Sequence, residues 1–269
     1  MSTTTSTSTV ERVVSTTASD VRPIPMTRIV GVELRKMFDT RSGFWLMTSI
    51  VAMSVVASGA VIIFGKDGDQ SYGSFAQAFG IPMSVILPIV AVLAVTSEWS
   101  QRSGLTTFTL VPHRGRVVGA KALATVVVAI VSMATAFAIG AVGTVVGSAI
   151  HGTDVVWDIA FVDALYITAG YSLGMAMGFM LGALIRNSAG AIVGYFVYSF
   201  VLPTLSGLLA TQAWWRHAQP WADFSFDQFR LYDGGLSAQQ WAQTGVAGLI
   251  WLVLPLTVGL VMLMRSEVK

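Results

Sequence analysis

The chain has 269 residues, of which 54% are hydrophobic and only 11% charged. Soluble domains carry roughly 25% charged residues, so a soluble fold fits poorly, and a net charge of +2 is too small to point to nucleic acid. Cysteine is absent, which removes disulfides, thiolate catalysis and cysteine-ligated metals.

The opening MSTTTSTSTVERVVSTTASD is rich in Ser and Thr and lacks the apolar core of a signal peptide. A disordered cytoplasmic tail is expected over residues 1–26. The stretch TRIVGVELRKMFDTRSGFW then sets Ile29, Val30, Glu33, Leu34, Met37 and Phe38 at helical spacing. This predicts an amphipathic helix over 27–42, lying in the membrane interface with basic side chains toward lipid phosphates. A plain juxtamembrane stub with stop-transfer charges is the alternative.

Charge then disappears for long stretches. The runs 42–65, 70–97, 122–153, 164–185, 187–215 and 234–264 hold no Asp, Glu, Lys or Arg, and each has at least 22 residues. About 20 apolar residues in a helix cross about 30 Å of hydrocarbon, and backbone groups in lipid must pair within their own element. The fold class is therefore read as an all-α membrane protein. Six transmembrane helices, at about 44–64, 75–97, 122–149, 162–185, 189–210 and 244–264, make one domain over 43–264. Thirteen Lys and Arg fall on the side of the N-terminus and three on the other. The positive-inside rule then places both termini in the cytoplasm.

Several spans carry further marks. Span two holds Pro82 and Pro88, which remove backbone donors and tend to kink a helix. Span three holds Gly143 and Gly147 at small-xxx-small spacing, and span four sets Gly170, Gly174, Gly178 and Gly182 every fourth residue. That ladder leaves a groove without side chains, read as a surface for close helix packing, with a substrate groove as the alternative. The turn IRNSAG is short, so spans four and five are expected to be antiparallel neighbours. The outer segment 211–243 carries Trp214, Trp215, Trp221 and Trp241, which favour the membrane interface. Short helices at or dipping into the outer leaflet are expected there.

The chain offers little for catalysis. Intramembrane chemistry uses ionisable residues at depth, and the six runs hold only His151, near the outer end of span three. No H-E-x-x-H or G-x-x-x-x-G-K-[ST] motif occurs. Catalytic residues, metal ligands and an ATPase motif are therefore not assigned, and the chain is not read as an enzyme.

Between spans two and three comes EWSQRSGLTTFTLVPHRGRVVGAK, residues 98–121. Ser100 and Ser103 are suited to cap a short helix, Leu105, Phe108, Leu110 and Val111 offer an apolar face, and Pro112 breaks it. Such a cytoplasmic helix, held between two spans, is a handle for a soluble partner.

The order Glu98, Arg102, Gly104, Thr106 or Thr107, Leu110, Pro112, Arg114 or Arg116, and Lys121 resembles the first cytoplasmic loop of ABC-2 type transporter permeases. One departure is Leu105, which separates Gly104 from the threonines. The resemblance covers the architecture of about 27–264 and, in motif, this loop alone. It implies the permease subunit of an ATP-driven exporter, two copies pairing as homodimer or heterodimer with two cytoplasmic ABC ATPase subunits. ATP and Mg would sit on that partner, with no cofactor in this chain. Glu98, Arg102, Gly104, Thr106, Phe108, Arg114 and Arg116 would couple to the ATPase. Phe75, Phe79 and Met83 of span two, with Tyr195, Tyr198 and Ser199 of span five, would border a path for amphipathic, lipidic or drug-like cargo. Packing is the alternative role for those aromatics. The expected location is a bacterial plasma membrane, among its lipids. An ion-coupled secondary transporter or a non-transporting membrane scaffold is the alternative function.

Overall fold

The computed structural model describes residues 24–100 and 114–265. These are overwhelmingly helical, and the only β feature among them is an isolated bridge between Ser71 and Val156. In chain order come α1 (Met26–Asp39), α2 (Arg41–Phe64), α3 (Tyr72–Ser100), α4 (Arg114–His151) and α5 (Phe161–Ile185). The span α6 (Ser188–Leu209) follows, then the short helices α7 (Ala213–Ala222) and α8 (Phe224–Arg230). The last helix, α9, begins at Ala238 and runs to Arg265. Six of these helices (α2, α3, α4, α5, α6 and α9) are long and apolar enough to cross a membrane. This is a multi-pass, all-α membrane protein.

Helix ends depart from the expected bounds where charge served as the guide. The third span was expected from 122, yet α4 starts at Arg114 and is continuous to His151. Charge marks the edge of the lipid rather than the end of the helix, and Arg and Lys are good helix formers. Residues 98–100 and 114–121 of the expected connecting segment are therefore helical. In 211–243, where short helices were expected, lie α7 and α8, and the last helix begins at Ala238 rather than at about 244.

The first helix stops at Asp39, short of the expected 42, because the chain turns there. Thr40 is extended, and its Oγ1 accepts the Gly43 N–H at 3.1 Å, capping α2. A Cβ at Gly43 would run into the Met37 carbonyl, so only glycine fits this turn. At the far end of α5, Arg186 adopts a left-handed conformation (φ 56°), and Asn187 caps α6 through the Gly190 N–H at 2.9 Å. Two residues, Arg186 and Asn187, thus separate the helices, leaving α5 and α6 as packed antiparallel neighbours.

Two wide helical turns, Val197–Val201 and Leu249–Val253, each lie just before a proline, Pro203 and Pro255. A proline ring displaces the carbonyl four residues back and offers no N–H to it, which opens the preceding turn. In α3, by contrast, Pro82 and Pro88 sit inside an uninterrupted helix. The carbonyl that Pro88 deprives of its partner is that of Ser84. It accepts the Tyr195 hydroxyl from α6 at 2.8 Å. A neighbouring helix thus supplies the donor that the proline lacks.

The core lies between α3, α4 and α5. Phe75, Phe79, Met83 and Leu87 of α3 are fully buried there, with Met133 of α4 and Met175 of α5. The Phe75 ring fills the notch left by Gly143 and Gly147 of α4. The glycine ladder of α5 meets α3 and the α8 segment. Gly178 and Gly182 lie against the backbone of Pro88 and Val92, while Gly170 and Gly174 lie against Tyr232 and Gln228.

Candidate functional site

The end of the bundle that carries α1 is held by one buried ion-pair cluster. The buried face of α1 is Ile29, Glu33 and Met37, at i, i+4 and i+8, so a carboxylate sits between two apolar side chains. This face packs on α4 and α2. Glu33 Oε2 receives the Lys121 ammonium at 2.6 Å, and the two side chains are 4% and 7% exposed. Glu33 Oε1 receives Lys36 at 2.7 Å. Lys121 also donates to the Ala94 carbonyl of α3 at 3.2 Å. Nearby, Arg116 donates to the Ile24 carbonyl just before α1.

A buried charge without partners is costly, so this arrangement persists because each group is bonded. Burial pushes the Glu33 carboxyl up, but the Lys121 ammonium, with Lys36 adding to it, outweighs that and holds the group below its ordinary value. One carboxylate therefore ties α1 to the base of α4, and through Lys121 to the base of α3. Those are the two helices that flank 101–113.

The expected partner-facing residues divide accordingly. Glu98 falls in the last turn of α3, while Arg114 and Arg116 fall in the first turn of α4. Arg102, Gly104, Thr106 and Phe108 lie outside the described residues, as do residues 1–23 of the expected tail. Lys36 stays exposed, with its ammonium paired to Glu33 at 2.7 Å. The pairing of Glu33 with Lys121 was missed, although both residues were legible. Glu33 is the lone acid on the greasy face of α1, and Lys121 is the last charge before a long neutral run.

The six residues expected along a cargo path are mostly enclosed by this chain. Phe75, Phe79 and Met83 are fully buried against α4 and α5, with the Phe79 and Phe137 rings edge to face at 5.6 Å. Tyr195 is bonded to Ser84, and Tyr198 donates to Gln228 Oε1 at 3.2 Å. Ser199 lies half-buried in the wide turn of α6. Phe75 and Phe79 thus pack span two against span three, while Tyr195 joins span five to span two and Tyr198 joins it to α8.

At the opposite end, α7 and α8 fold back among the spans. Gln228 Nε2 donates to the Gly170 carbonyl at 2.9 Å, and Gly170 is nine residues into α5, about 13 Å at 1.5 Å per residue. Asp223 caps α8 through the Phe226 N–H at 3.1 Å and also accepts the Ser206 hydroxyl. Gln219 and Trp215 add hydrogen bonds to Ser206 at 3.0 Å. Asp227 is fully buried; its Oδ1 receives Arg230 at 3.1 Å, while Oδ2 has no partner among the described residues. Arg230 also bonds Gln243 at 2.9 Å and lies over the Phe226 ring.

Burial raises the Asp227 carboxyl to about 6, with Arg230 opposing the rise. A carboxyl raised on folding costs stability as pH climbs from the ordinary aspartate value toward 6, and the cost stays constant above it. Thermal melts of the wild type should therefore fall across that interval. Asp227→Asn should flatten the profile, and an unchanged slope would show that Asp227 does not cause it. No protein-family model and no curated protein matches this chain.

Proposed function

We propose that this chain is the membrane-spanning permease subunit of an ATP-driven exporter of the ABC-2 type. It works with a separate cytoplasmic ATPase, which carries the ATP and Mg, and pairs with a second permease subunit. The end bearing α1 is cytoplasmic on this reading, in keeping with the excess of Lys and Arg there. Amphipathic, lipidic or drug-like cargo suits a bundle whose interior helices carry aromatics and methionines.

One observation carries the reading: Glu33 and Lys121 join α1, α3 and α4 at their bases. The segment 101–113 springs from helices that this cluster locks together. A push on that segment by a nucleotide-driven partner would move α3 and α4 as one body with α1. From there it would reach the contact of α3 with α5 and α6 at Pro88, where Gly178 and Tyr195 meet it.

The test is to purify the full chain from its native membranes in a mild detergent or directly into nanodiscs. An ATP-binding protein should accompany it, and the complex should hydrolyse ATP faster than the partner alone. Glu98→Ala and Arg102→Glu should lower that stimulation while leaving the bundle's melting temperature unchanged. Failure of any ATP-binding protein to co-purify under every gentle condition would overturn the reading.

A further inference from the structure

A cavity of about 430 Å³ opens at the end of the bundle opposite α1. Its walls are the first turns of α3 and α5, and the turn after α8 closes one side. This volume is within the roughly 300–1,000 Å³ typical of small-molecule sites and far above what one water needs.

The lining has two chemistries. Its floor is aromatic: the Tyr171 and Tyr232 ring centroids are 4.8 Å apart, and Phe229 meets Tyr232 edge-on at 5.9 Å. Its rim is acidic, with Asp158, Asp163 and Asp233, and no basic side chain lines it. The nearest arginine in sequence, Arg230, is already engaged by Asp227 and Gln243. Asp158 and Asp163 each take one backbone N–H, from Gly73 at 2.6 Å and Ala160 at 3.2 Å, which fixes their position without neutralising their charge.

Tyr171 is the second indication of a ligand. It is 7% exposed, it lines the cavity, and its hydroxyl makes no hydrogen bond to any described residue. That hydroxyl occupies the space a side chain at Gly80 would take, since a Cβ there would lie 2.8 Å from it. A hydroxyl that no protein group bonds can donate to or accept from a bound molecule.

We propose that this cavity binds an amphipathic organic cation. Its ammonium, or a comparable cationic centre, sits over the Tyr171 and Tyr232 rings within reach of the rim carboxylates, and its apolar body lies against Ile81 and Ile167. Ring faces attract cations, and carboxylates beside an apolar wall strengthen the attraction. A bare metal ion is a worse match, because the described acidic side chains nowhere converge into a set able to hold one. If the exporter reading holds, this is the last station of a cationic cargo before release, and that role alone depends on it.

Two probes of nearly the same shape and opposite charge test the site: tetraphenylphosphonium and tetraphenylborate. Each is titrated onto the full chain in nanodiscs of zwitterionic lipid, with empty nanodiscs subtracted. The phosphonium should bind saturably and the borate should not. Raising the salt should weaken the phosphonium, because screening reduces attraction at a partly exposed rim. Asp163→Asn with Asp233→Asn should weaken it about tenfold, while Asn at 163 keeps the oxygen that accepts the Ala160 N–H. Melting curves in the same nanodiscs report whether the double variant is folded, and the salt series needs no variant at all. Equal binding of both ions, or affinity insensitive to salt, would overturn the proposal. No ATPase enters this assay. Failure here leaves the exporter reading standing, and failure of co-purification leaves the site standing.

Discussion

Removing either partner of the Glu33–Lys121 pair is expected to be the most damaging single change at the α1 end. Glu33→Gln or Lys121→Met leaves a buried charge or dipole facing a group it no longer satisfies. Breaking a buried, hydrogen-bonded pair this way costs about 3–5 kcal/mol. For a chain of this size that is a fall on the order of 10 °C in melting temperature. Replacing both at once removes the orphan, so the double variant should melt closer to the wild type than either single one. Simple additivity of the two losses would show that the pair is not coupled.

The same pair sets an acid limit. Glu33 is held below its ordinary value by the two ammonium groups against the opposing effect of burial. A group lowered on folding adds stability that is complete above the ordinary glutamate value and is lost as pH falls through the folded value. Wild-type melts should therefore drop at acid pH, and Glu33→Gln should lack that part of the drop. Asp227 acts with the opposite sign in a neighbouring pH range, so the two residues are separable by their single variants.

A side chain at Gly178 is expected to do comparable damage by a different route. A Cβ there would lie 2.5 Å from the Pro88 carbonyl oxygen and 3.0 Å from its carbon and Cα. These are backbone atoms, so they cannot swing aside as a flexible side chain would. Gly178→Ala should cost about 1–3 kcal/mol by overpacking, and Gly178→Leu should force α3 and α5 apart. Gly59→Ala is the matched control, because nothing lies within 4 Å of its Cβ position. Alanine is the better helix former by roughly 0.5–1 kcal/mol, so that variant should hold or gain stability. If Gly178→Leu melts like the wild type, α3 and α5 do not approach as closely in the membrane as they do here.

Pro88 links this contact to the polar seam of the opposite end. Losing one backbone donor left the Ser84 carbonyl open, and Tyr195 of α6 came to fill it. Gly174, one turn before Gly178, makes room for both Tyr195 and Gln228. Three spans and the α8 segment are thus joined where a single proline made the helix need a donor from outside.

Much of this was readable along the chain because lipid simplifies the problem. Hydrocarbon requires long neutral helices, so six charge-free runs located six spans, and proline and glycine positions marked where backbones would open or approach. The shortness of the turn IRNSAG likewise made α5 and α6 neighbours. What the string of residues left open was which side chains meet across long separations. Glu33 and Lys121 are 88 positions apart, Tyr195 and Ser84 are 111, and no local periodicity relates them. Helix ends also escaped, because the residues that leave the lipid at 114–121 continue as helix, and charge reports the solvent boundary alone. The enclosure of Phe75 and the acidic, aromatic cavity beside Tyr171 arise only when separate helices are packed, for burial is a property of neighbours in space and not of neighbours in sequence.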